Sequence, residues 1–257
     1  MRDALTFSLV IFTSVLLGVP TLAHAQTQVQ AQPQAQTQVQ APAPAQTQAQ
    51  ASDGAGAIYK PPLRGAPARR VGGATRGSSD TDMVLNVLAP DQTGLTTQAQ
   101  PTLYWYASKP TSTLIELTLI SDTAETPLLS KNLVVTPGGV QAIDLASYGI
   151  TLALDTEYEW FVSVVSNSSQ RSKDTTSGGT IRRVAPDPAV VARVAAAGER
   201  AAPRIYAEAG LWYDSIASLS RQIERSPAEA ELRSVRAALL EQIGLSAAAA
   251  ADRSTRR

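Results

Sequence analysis

Apolar and polar residues alternate along the middle of the chain, from Val84 to Val184. In segments 115–119 and 158–164 every second residue is apolar, and the residues between are mostly polar. A period of two is typical of strands that bury one face. Glycine and proline residues separate these short segments, as they do in all-β domains. The pattern therefore predicts an antiparallel β-sandwich over residues 80–185, of immunoglobulin or fibronectin-III-like type.

After Pro188 the apolar period becomes helical, and helices are predicted over 189–197, 199–209, 211–225 and 228–243. Gly210 and Gly244 are 34 residues apart, the length of a tetratricopeptide repeat, although an ordinary helical hairpin uses the same small residues at its turns. A free-standing solenoid needs about three repeats. We therefore expect an α+β fold, in which a C-terminal helical cap (186–245) contains a tetratricopeptide-like hairpin and packs on the sandwich. Residues 246–257 are predicted to be a disordered tail.

The N-terminus has the pattern of a signal peptide over residues 1–25. An apolar run from Leu5 to Val19 is followed by a small-x-small cleavage site at Ala23-His24-Ala25. The alternative is a retained membrane anchor, but the run is shorter than the roughly 20 residues that a span needs. We expect an exported protein of the periplasm or the extracellular space, with no membrane span after cleavage.

Residues 26–57 form a low-complexity tract of Gln, Ala, Pro and Thr, with no charge before Asp53. Such a composition buries too little apolar surface to offset the entropy of ordering. We interpret the tract as a disordered linker that tethers the folded domain. Adhesion through the glutamine repeats is the functional alternative.

The chain has no cysteine, and its only histidine, His24, lies in the predicted leader. Histidine is the usual base of Ser-His-Asp and Cys-His nucleophiles, and zinc, haem and iron–sulfur sites depend on His and Cys. Phosphate-binding glycine motifs are also lacking. We therefore expect no catalytic residues, no metal site and no cofactor.

Carboxylates remain as a possible route to catalysis. A hydrolase could use two of Glu116, Asp144, Glu157 and Glu159, although Glu157 and Glu159 lie on the outward parity of a strand. The segment Asp80-Thr-Asp82 could ligate calcium, but it lacks the further acids of a known loop, and a solvated turn is favoured.

An Arg-Gly-rich loop segment is predicted over residues 58–79. It carries four arginines, which are candidate sites for an anion or a partner: Arg64, Arg69, Arg70 and Arg76. An anionic glycan, a peptide carboxylate or a phospholipid headgroup fits this chemistry. The alternative is internal pairing with acids such as Asp82, Asp91 and Asp144. Because the net charge is zero, nucleic acid is not an expected partner.

Aromatic side chains provide the other candidate binding residues. Alternation places Trp105 and Trp160 on core-facing parities, and Tyr104 and Tyr106 on the opposite face from Trp105. Trp212 and Tyr213 begin a predicted helix where the sheet and the helices meet. The four residues Tyr104, Tyr106, Trp212 and Tyr213 are candidates to face a partner, with packing as the alternative for the helical pair.

Eight segments of the chain form a recognisable series: Pro62–Gly77, Leu85–Pro90, Gly94–Thr96, Pro101–Tyr106, Leu154–Trp160, Ile181–Val184, Tyr206–Asp214 and Ile243–Leu245. In this order they resemble a cyanobacterial domain-of-unknown-function family, number 928. The resemblance extends from about Pro61 to Leu245. It implies an exported cyanobacterial protein and supplies no activity and no catalytic residues.

Together these observations predict a non-catalytic, exported interaction or accessory module of the cell envelope. It would bind protein partners through the helical hairpin or the Arg-Gly segment. The alternatives are a carbohydrate- or peptidoglycan-binding module and, from a different class, a carboxylate-dependent hydrolase.

Overall fold

A computed structural model of the chain describes residues 56–62, 83–133 and 136–254. The predicted signal peptide, all but the last two residues of the predicted linker, and the arginines of the Arg-Gly segment lie outside the described residues. Within these ranges the chain forms two sheets and five α-helices, so the predicted mixed α+β class is confirmed.

The strands follow one another from Leu85 to Arg183. They are β1 (Leu85–Val87), β2 (Gly94–Thr96), β3 (Thr102–Ala107), β4 (Ile115–Ser121), β5 (Leu129–Leu133), β6 (Gly139–Asp144), β7 (Glu157–Val164) and β8 (Thr175–Arg183). Their alternating burial is clearest in β7, where Tyr158, Trp160, Val162 and Val164 are buried. This is the face that the period of two predicts.

The strands form a three-stranded sheet in the order β1-β3-β6 and a five-stranded sheet in the order β2-β8-β7-β4-β5. Every neighbouring pair is antiparallel except β2 and β8, which run parallel. The prediction of a purely antiparallel arrangement is therefore wrong at this edge. Strands β2 and β8 are far apart in sequence, so no tight hairpin forces them into opposite directions.

The two sheets share one hydrophobic core. Trp160 of β7 and Leu103 of β3 are fully buried in it. The sheets also touch directly, because the amide of Val87 donates a 2.9 Å hydrogen bond to the hydroxyl of Ser177 on β8. Gly179 allows this approach, since a Cβ there would lie 2.5 Å from the Cβ of Ala89.

Five helices follow the last strand: α1 (Pro188–Ala197), α2 (Ala202–Glu208), α3 (Trp212–Arg225), α4 (Ala230–Gln242) and α5 (Ser246–Ser254). Asp187 caps the start of α1 by accepting a hydrogen bond from the amide of Ala189, and Pro188 occupies the first turn. Gly198, Gly210 and Gly244 follow helix ends with positive φ, which glycine adopts at little cost.

Two of the helices, α3 and α5, pack against the sheets. Helix α3 contacts β2 and β3, and α5 contacts β6. Tyr104 and Tyr106, which alternate with core-facing Trp105, are buried under this layer. The helical cap therefore covers a hydrophobic face of the sheet, as the sequence predicts.

The prediction of a disordered tail is wrong for Ser246–Ser254, which form α5. Ala248 and Ala249 are buried on its inner side. Asp252 forms a buried, bidentate ion pair with Arg236 of α4, with N–O distances of 2.7 and 2.6 Å. Arg236 also donates to the hydroxyl of Ser220 on α3. This ion pair stabilises the end of the chain against the cap.

Candidate functional site: a groove in the helical cap

Residues 56–62, here named the strap, lie in a groove of the helical cap. The amide of Tyr59 donates a 2.8 Å hydrogen bond to Oε1 of Gln242, and Nε2 of Gln242 donates a 2.8 Å bond to the carbonyl of Ala57. The amide of Lys60 donates to the carbonyl of Ala207 on α2, at 3.1 Å. These bonds engage backbone atoms of the strap, so they fit an extended peptide of many sequences.

From Ala57 to Lys60 the side chains of the strap alternate between the groove and the solvent. Ala57 and Tyr59 are 2% and 8% exposed, whereas Ile58 is 59% exposed. The ring of Tyr59 packs edge-on against Trp212, with ring centroids 4.9 Å apart. Burial raises the pKa of Tyr59 to about 12, and the nearby Gln92 side chain acts in the opposite direction. The predicted C-terminal boundary of the linker, at residue 57, is therefore too late, because Ala57 is already buried in the folded domain.

A glycine at the turn between α2 and α3 makes room for the strap. Gly210 has a φ of +77°, and a Cβ at this position would lie 2.9 Å from the carbonyl oxygen of Lys60. Both the left-handed backbone and the close approach thus require glycine here. The same turn forms the end of α2 and part of the wall of the groove.

A cavity of about 400 Å³ continues the groove beside Ala57. Its walls come from the end of α1, the start of α2, one turn of α3 and the first half of α4. Aliphatic side chains form much of the lining, and two arginines and one glutamate complete it: Pro203, Leu219, Leu232 and Val235, with Arg200, Arg204 and Glu231. The site combines an aliphatic pocket with a charged edge.

The two arginines differ in their partners. Arg200 is bonded to Glu229 and, at 3.2 Å, to Glu231. The hydrogen bond from Arg200 lowers the pKa of Glu229. Arg204 is partly buried, and within the described ranges its guanidinium makes no hydrogen bond and no ion pair. Arg204 is thus a cation at the cavity edge that is available to a carboxylate.

A second cavity, of about 390 Å³, lies at the other side of Tyr59. Its lining includes Asp91 and Gln92 before β2 and the turn between α4 and α5. The buried hydroxyl of Tyr59 forms no hydrogen bond with the described residues. The side chain of Gln92, which acts on the pKa of this hydroxyl, also lines the cavity.

The four aromatic candidates from the sequence do not form an exposed surface. Tyr104, Tyr106, Trp212 and Tyr213 are all buried, with exposures of 7% or less. The interpretation of these side chains as facing a partner is therefore wrong. Trp212 donates a 2.8 Å hydrogen bond to the carbonyl of Leu88, so its polar atom is already used internally.

The predicted carboxylate candidates are dispersed and mostly engaged. Glu116 is bonded to Arg171, and Asp144 accepts from the amide of Ala146 in the short 3₁₀ turn that follows β6. Asp144 is on the three-stranded sheet, whereas the three glutamates are on the five-stranded sheet.

Glu157 accepts hydrogen bonds from Thr93, at 2.9 Å, and from Arg182, at 2.7 Å. Glu159 is solvent-exposed. Glu157 therefore has a structural role in tying β7 to β8 and to the residue before β2.

Arg64, Arg69, Arg70 and Arg76 lie outside the described residues, as do Asp80 and Asp82. The binding hypothesis for the Arg-Gly segment and the calcium alternative stay predictions. In the described ranges, no group of three or more His, Cys, Asp or Glu side chains is placed to hold a metal ion.

Sequence reasoning did not identify the strap or the cavity. Tyr59 is the first aromatic residue after the low-complexity tract, and this change in composition was an available signal. Arg200 and Arg204 are four residues apart, a helical spacing within the predicted helix 199–209, although Arg200 lies in the turn before α2. Neither pattern indicates that the two segments meet.

The described residues define a mixed α+β protein in which a helical cap holds an extended strap. The family model described as Domain of Unknown Function (DUF928) matches residues 71–253, so the chain belongs to this family. The resemblance read from the sequence is thus confirmed at the level of the family, and the strap precedes the matched region. No curated protein matches the chain. In the part of the chain that is described, every helix is too short or too polar to cross a membrane.

Proposed function

We propose that this protein acts without catalysis, as an exported interaction or accessory module of the cell envelope whose helical cap binds a protein partner. The single observation that carries the proposal is the strap in its groove. The cap holds the strap by hydrogen bonds to the backbone of Ala57, Tyr59 and Lys60 and by the buried side chains of Ala57 and Tyr59. Backbone recognition of this kind is how many domains bind extended peptides.

The finer fold is part of the same proposal. The two sheets would form an immunoglobulin- or fibronectin-III-like sandwich, and α2, α3 and α4 a tetratricopeptide-like arrangement. Gly210 and Gly244, 34 residues apart, both follow helix ends with left-handed backbones, at φ values of +77° and +75°. This regularity supports a repeat-like hairpin.

Export and the Arg-Gly segment complete the proposal. The apolar run with its cleavage site supports export to the periplasm or beyond. Residues 63–82 join the strap to Met83 and contain the four arginines, so an anionic group on a partner would meet the chain directly after the strap. An anionic glycan fits that segment as well as an acidic protein does.

The test compares two valine substitutions in the full-length protein. Val235 lines the cavity, whereas Val191 is 54% exposed on α1 and lies outside it. We expect wild type and Val191→Glu to retain the same partner from envelope extract, and Val235→Glu to lose it. Circular dichroism and thermal unfolding verify that both variants fold. Equal recovery by both variants would contradict a role for this groove.

Deletion of the cap is a poor alternative to these substitutions. Removing residues 186–257 would expose Tyr104 and Tyr106, which α3 and its neighbours cover. The truncated protein would present a new apolar sheet face and bind other proteins for that reason alone.

A carbohydrate-binding module is the second candidate, and the second cavity favours it. Asp91 and Gln92 line this cavity beside Tyr59, so a carboxylate and an amide side chain lie close to a buried hydroxyl. Because Trp212 packs on Tyr59, soluble peptidoglycan fragments bound in this cavity should change tryptophan fluorescence. A titration without change would exclude this candidate.

A further inference from the structure

We propose that α1 is a latch on the helical cap, which exposed ion pairs close and a rise in ionic strength opens. When the latch opens, α1 separates from α2, and the cavity beside Ala57 loses one of its walls. This inference goes beyond the proposed function and holds whatever the cap binds. It rests on the burial of α1 and on the ion pairs of α1 and of the turn that follows it.

Helix α1 contributes no buried side chain to the fold, although it consists of alanine, valine, one proline and one arginine. Eight of its ten residues are exposed, and Val190 and Val194 are half-buried. These valines are four positions apart, so they form the inner side of the helix, whose principal neighbour is α2. Each of the other four helices has at least three buried residues. Because docking depends mainly on buried apolar surface, α1 is the most weakly attached of the five described helices.

Local signals, and not burial, define the helix itself. Asp187 caps its start, Pro188 occupies the first turn, and half of its residues are alanine, which has the highest helix propensity. The exposed segment 185–187 precedes α1. Gly198 follows it with a φ of +79° and no atom within 4 Å of an added Cβ. Both flanking segments therefore have the freedom that hinges need.

Ion pairs supply the attachment that burial does not. Nη2 of Arg193 lies 2.7 Å from a carboxylate oxygen of Glu208, so this pair joins α1 directly to α2. Two further pairs hold the turn after Gly198, namely Glu199–Arg225 and Arg200–Glu229. The arginine of each pair is more than half exposed. Dissolved ions screen such pairs, so the latch weakens as the salt concentration rises.

Opening of the latch changes the cavity beside Ala57. Ala197 at the end of α1 and Arg200 and Ala201 in the following turn line this cavity. Val235 of α4 lines it as well. When the ion pairs are screened, the wall that α1 and its turn provide moves away, so Val235 becomes more accessible to solutes.

Single cysteines report the latch in the full-length protein, because the chain has no cysteine of its own. Val194→Cys places a thiol on the inner side of α1, and Val235→Cys places one in the cavity. Val191→Cys, at a 54% exposed position of α1, measures the effect of salt on the labelling reaction itself. Labelling rates with a fluorescein maleimide are compared at about 0.05 M and about 1 M NaCl.

We expect salt to raise the labelling rates of Val194→Cys and Val235→Cys, each relative to Val191→Cys, by about threefold or more. A ratio for Val194→Cys that does not change with salt overturns the latch. A ratio that rises for Val194→Cys but not for Val235→Cys overturns the effect on the cavity.

Removal of one ion pair should imitate salt. In the Val194→Cys protein, Arg193→Gln should raise the labelling rate at about 0.05 M NaCl by about twofold or more and reduce the effect of added salt. Arg171→Gln is the matched control, because it breaks an exposed ion pair with Glu116 on the five-stranded sheet. The same labelling rates for both variants overturn the role of the ion pairs.

Hydrogen exchange tests the protein without any substitution. Helix α5 is the internal reference, since it also carries an exposed ion pair, between Arg253 and Glu241, but buries Ala248 and Ala249. We expect about 1 M NaCl to accelerate amide exchange in α1 and to leave α5 unchanged. Exchange in α1 that salt does not accelerate, or equal acceleration in α1 and α5, overturns the proposal.

Discussion

The indole Nε1 of Trp160 donates a 2.9 Å hydrogen bond to the hydroxyl of Tyr213, deep inside the protein. The same hydroxyl donates a 3.0 Å bond to the carbonyl of Thr180 on β8. Tyr213 belongs to the first turn of α3, so one oxygen joins the helical cap to two strands of the five-stranded sheet. The cap is consequently a structural part of the sheet domain, and the groove lies on a rigid base.

Removal of that hydroxyl should destabilise the whole protein. Tyr213→Phe leaves the buried N–H of Trp160 without its acceptor, which costs about 1–3 kcal/mol of the free energy of unfolding. Urea denaturation followed by circular dichroism measures the change. Tyr148→Phe is the matched control, because Tyr148 is 40% exposed and should tolerate the same change. Equal midpoints for the two variants would contradict the structural role of the hydroxyl.

Substitution of Gly94 tests the close contact between β2 and α3. A Cβ at this position would lie 2.5 Å from Cε2 of Tyr213, whose ring is held at its far end by Trp160 and Thr180. We expect Gly94→Ala to destabilise the protein by about 1–3 kcal/mol through overpacking. Gly56→Ala, with no atom within 4 Å of the added Cβ, should have no comparable effect in the same thermal unfolding assay.

Loss of the buried ion pair between α4 and α5 should reduce the free energy of unfolding more than the two preceding substitutions do. Asp252→Asn leaves the guanidinium of Arg236 buried beside a neutral side chain, which costs about 3–5 kcal/mol. The control is Glu241→Gln, which removes the acid of an exposed pair with Arg253 and should change stability little. Hydrogen exchange should also show faster amide exchange in α5 for the first variant alone. Similar stability of the two variants would mean that α5 does not depend on this pair.

Because the pKa of Tyr59 is raised, we expect the protein to lose stability at high pH. An unfolded tyrosine loses its proton near pH 10, whereas burial raises the pKa of Tyr59 to about 12. Between about pH 10 and about pH 12 the folded state therefore binds more protons than the unfolded state. Its stability is complete below about pH 10 and decreases towards about pH 12, by at most about 1.4 kcal/mol per pH unit.

Tyr59→Phe should reduce this pH dependence, because phenylalanine has no proton to lose in this pH range. Urea midpoints of both proteins at about pH 8 and about pH 11 provide the comparison. Other buried tyrosines, such as Tyr104, also have raised pKa values and leave a residual slope. An identical loss of stability in both proteins would show that Tyr59 does not titrate in this range.

Local patterns predicted much of the fold. Alternation in segments 115–119 and 158–164 corresponds to β4 and β7, and the helix predicted over 211–225 corresponds to α3 (Trp212–Arg225). These predictions succeed because strand and helix periods depend on which side of one element is buried. The parallel pairing of β2 with β8 was not predictable in this way, since pairing is a property of two distant segments.

The candidate site was harder to predict from the sequence than the secondary structure was. The aromatic residues that the sequence analysis named as candidates to face a partner are buried, because α3 and α5 pack against the sheets. Ala57 and Gln242 are 185 positions apart, yet their hydrogen bond holds the strap. No local pattern relates an alanine at the end of a low-complexity tract to a glutamine near the end of a helix.

The class of the fold, the family, and the lack of cysteine and of any histidine beyond His24 follow from the amino-acid sequence. Composition, the alternation of apolar and polar residues, and the order of motifs are all properties of the linear chain, so they can be read without a structure. Only tertiary packing shows that Asp252 meets Arg236, that Tyr213 meets Trp160, and that Gln242 bonds the backbone of the strap. These contacts arise because burying apolar surface brings distant segments together, and their polar groups must then find partners at the place where packing puts them.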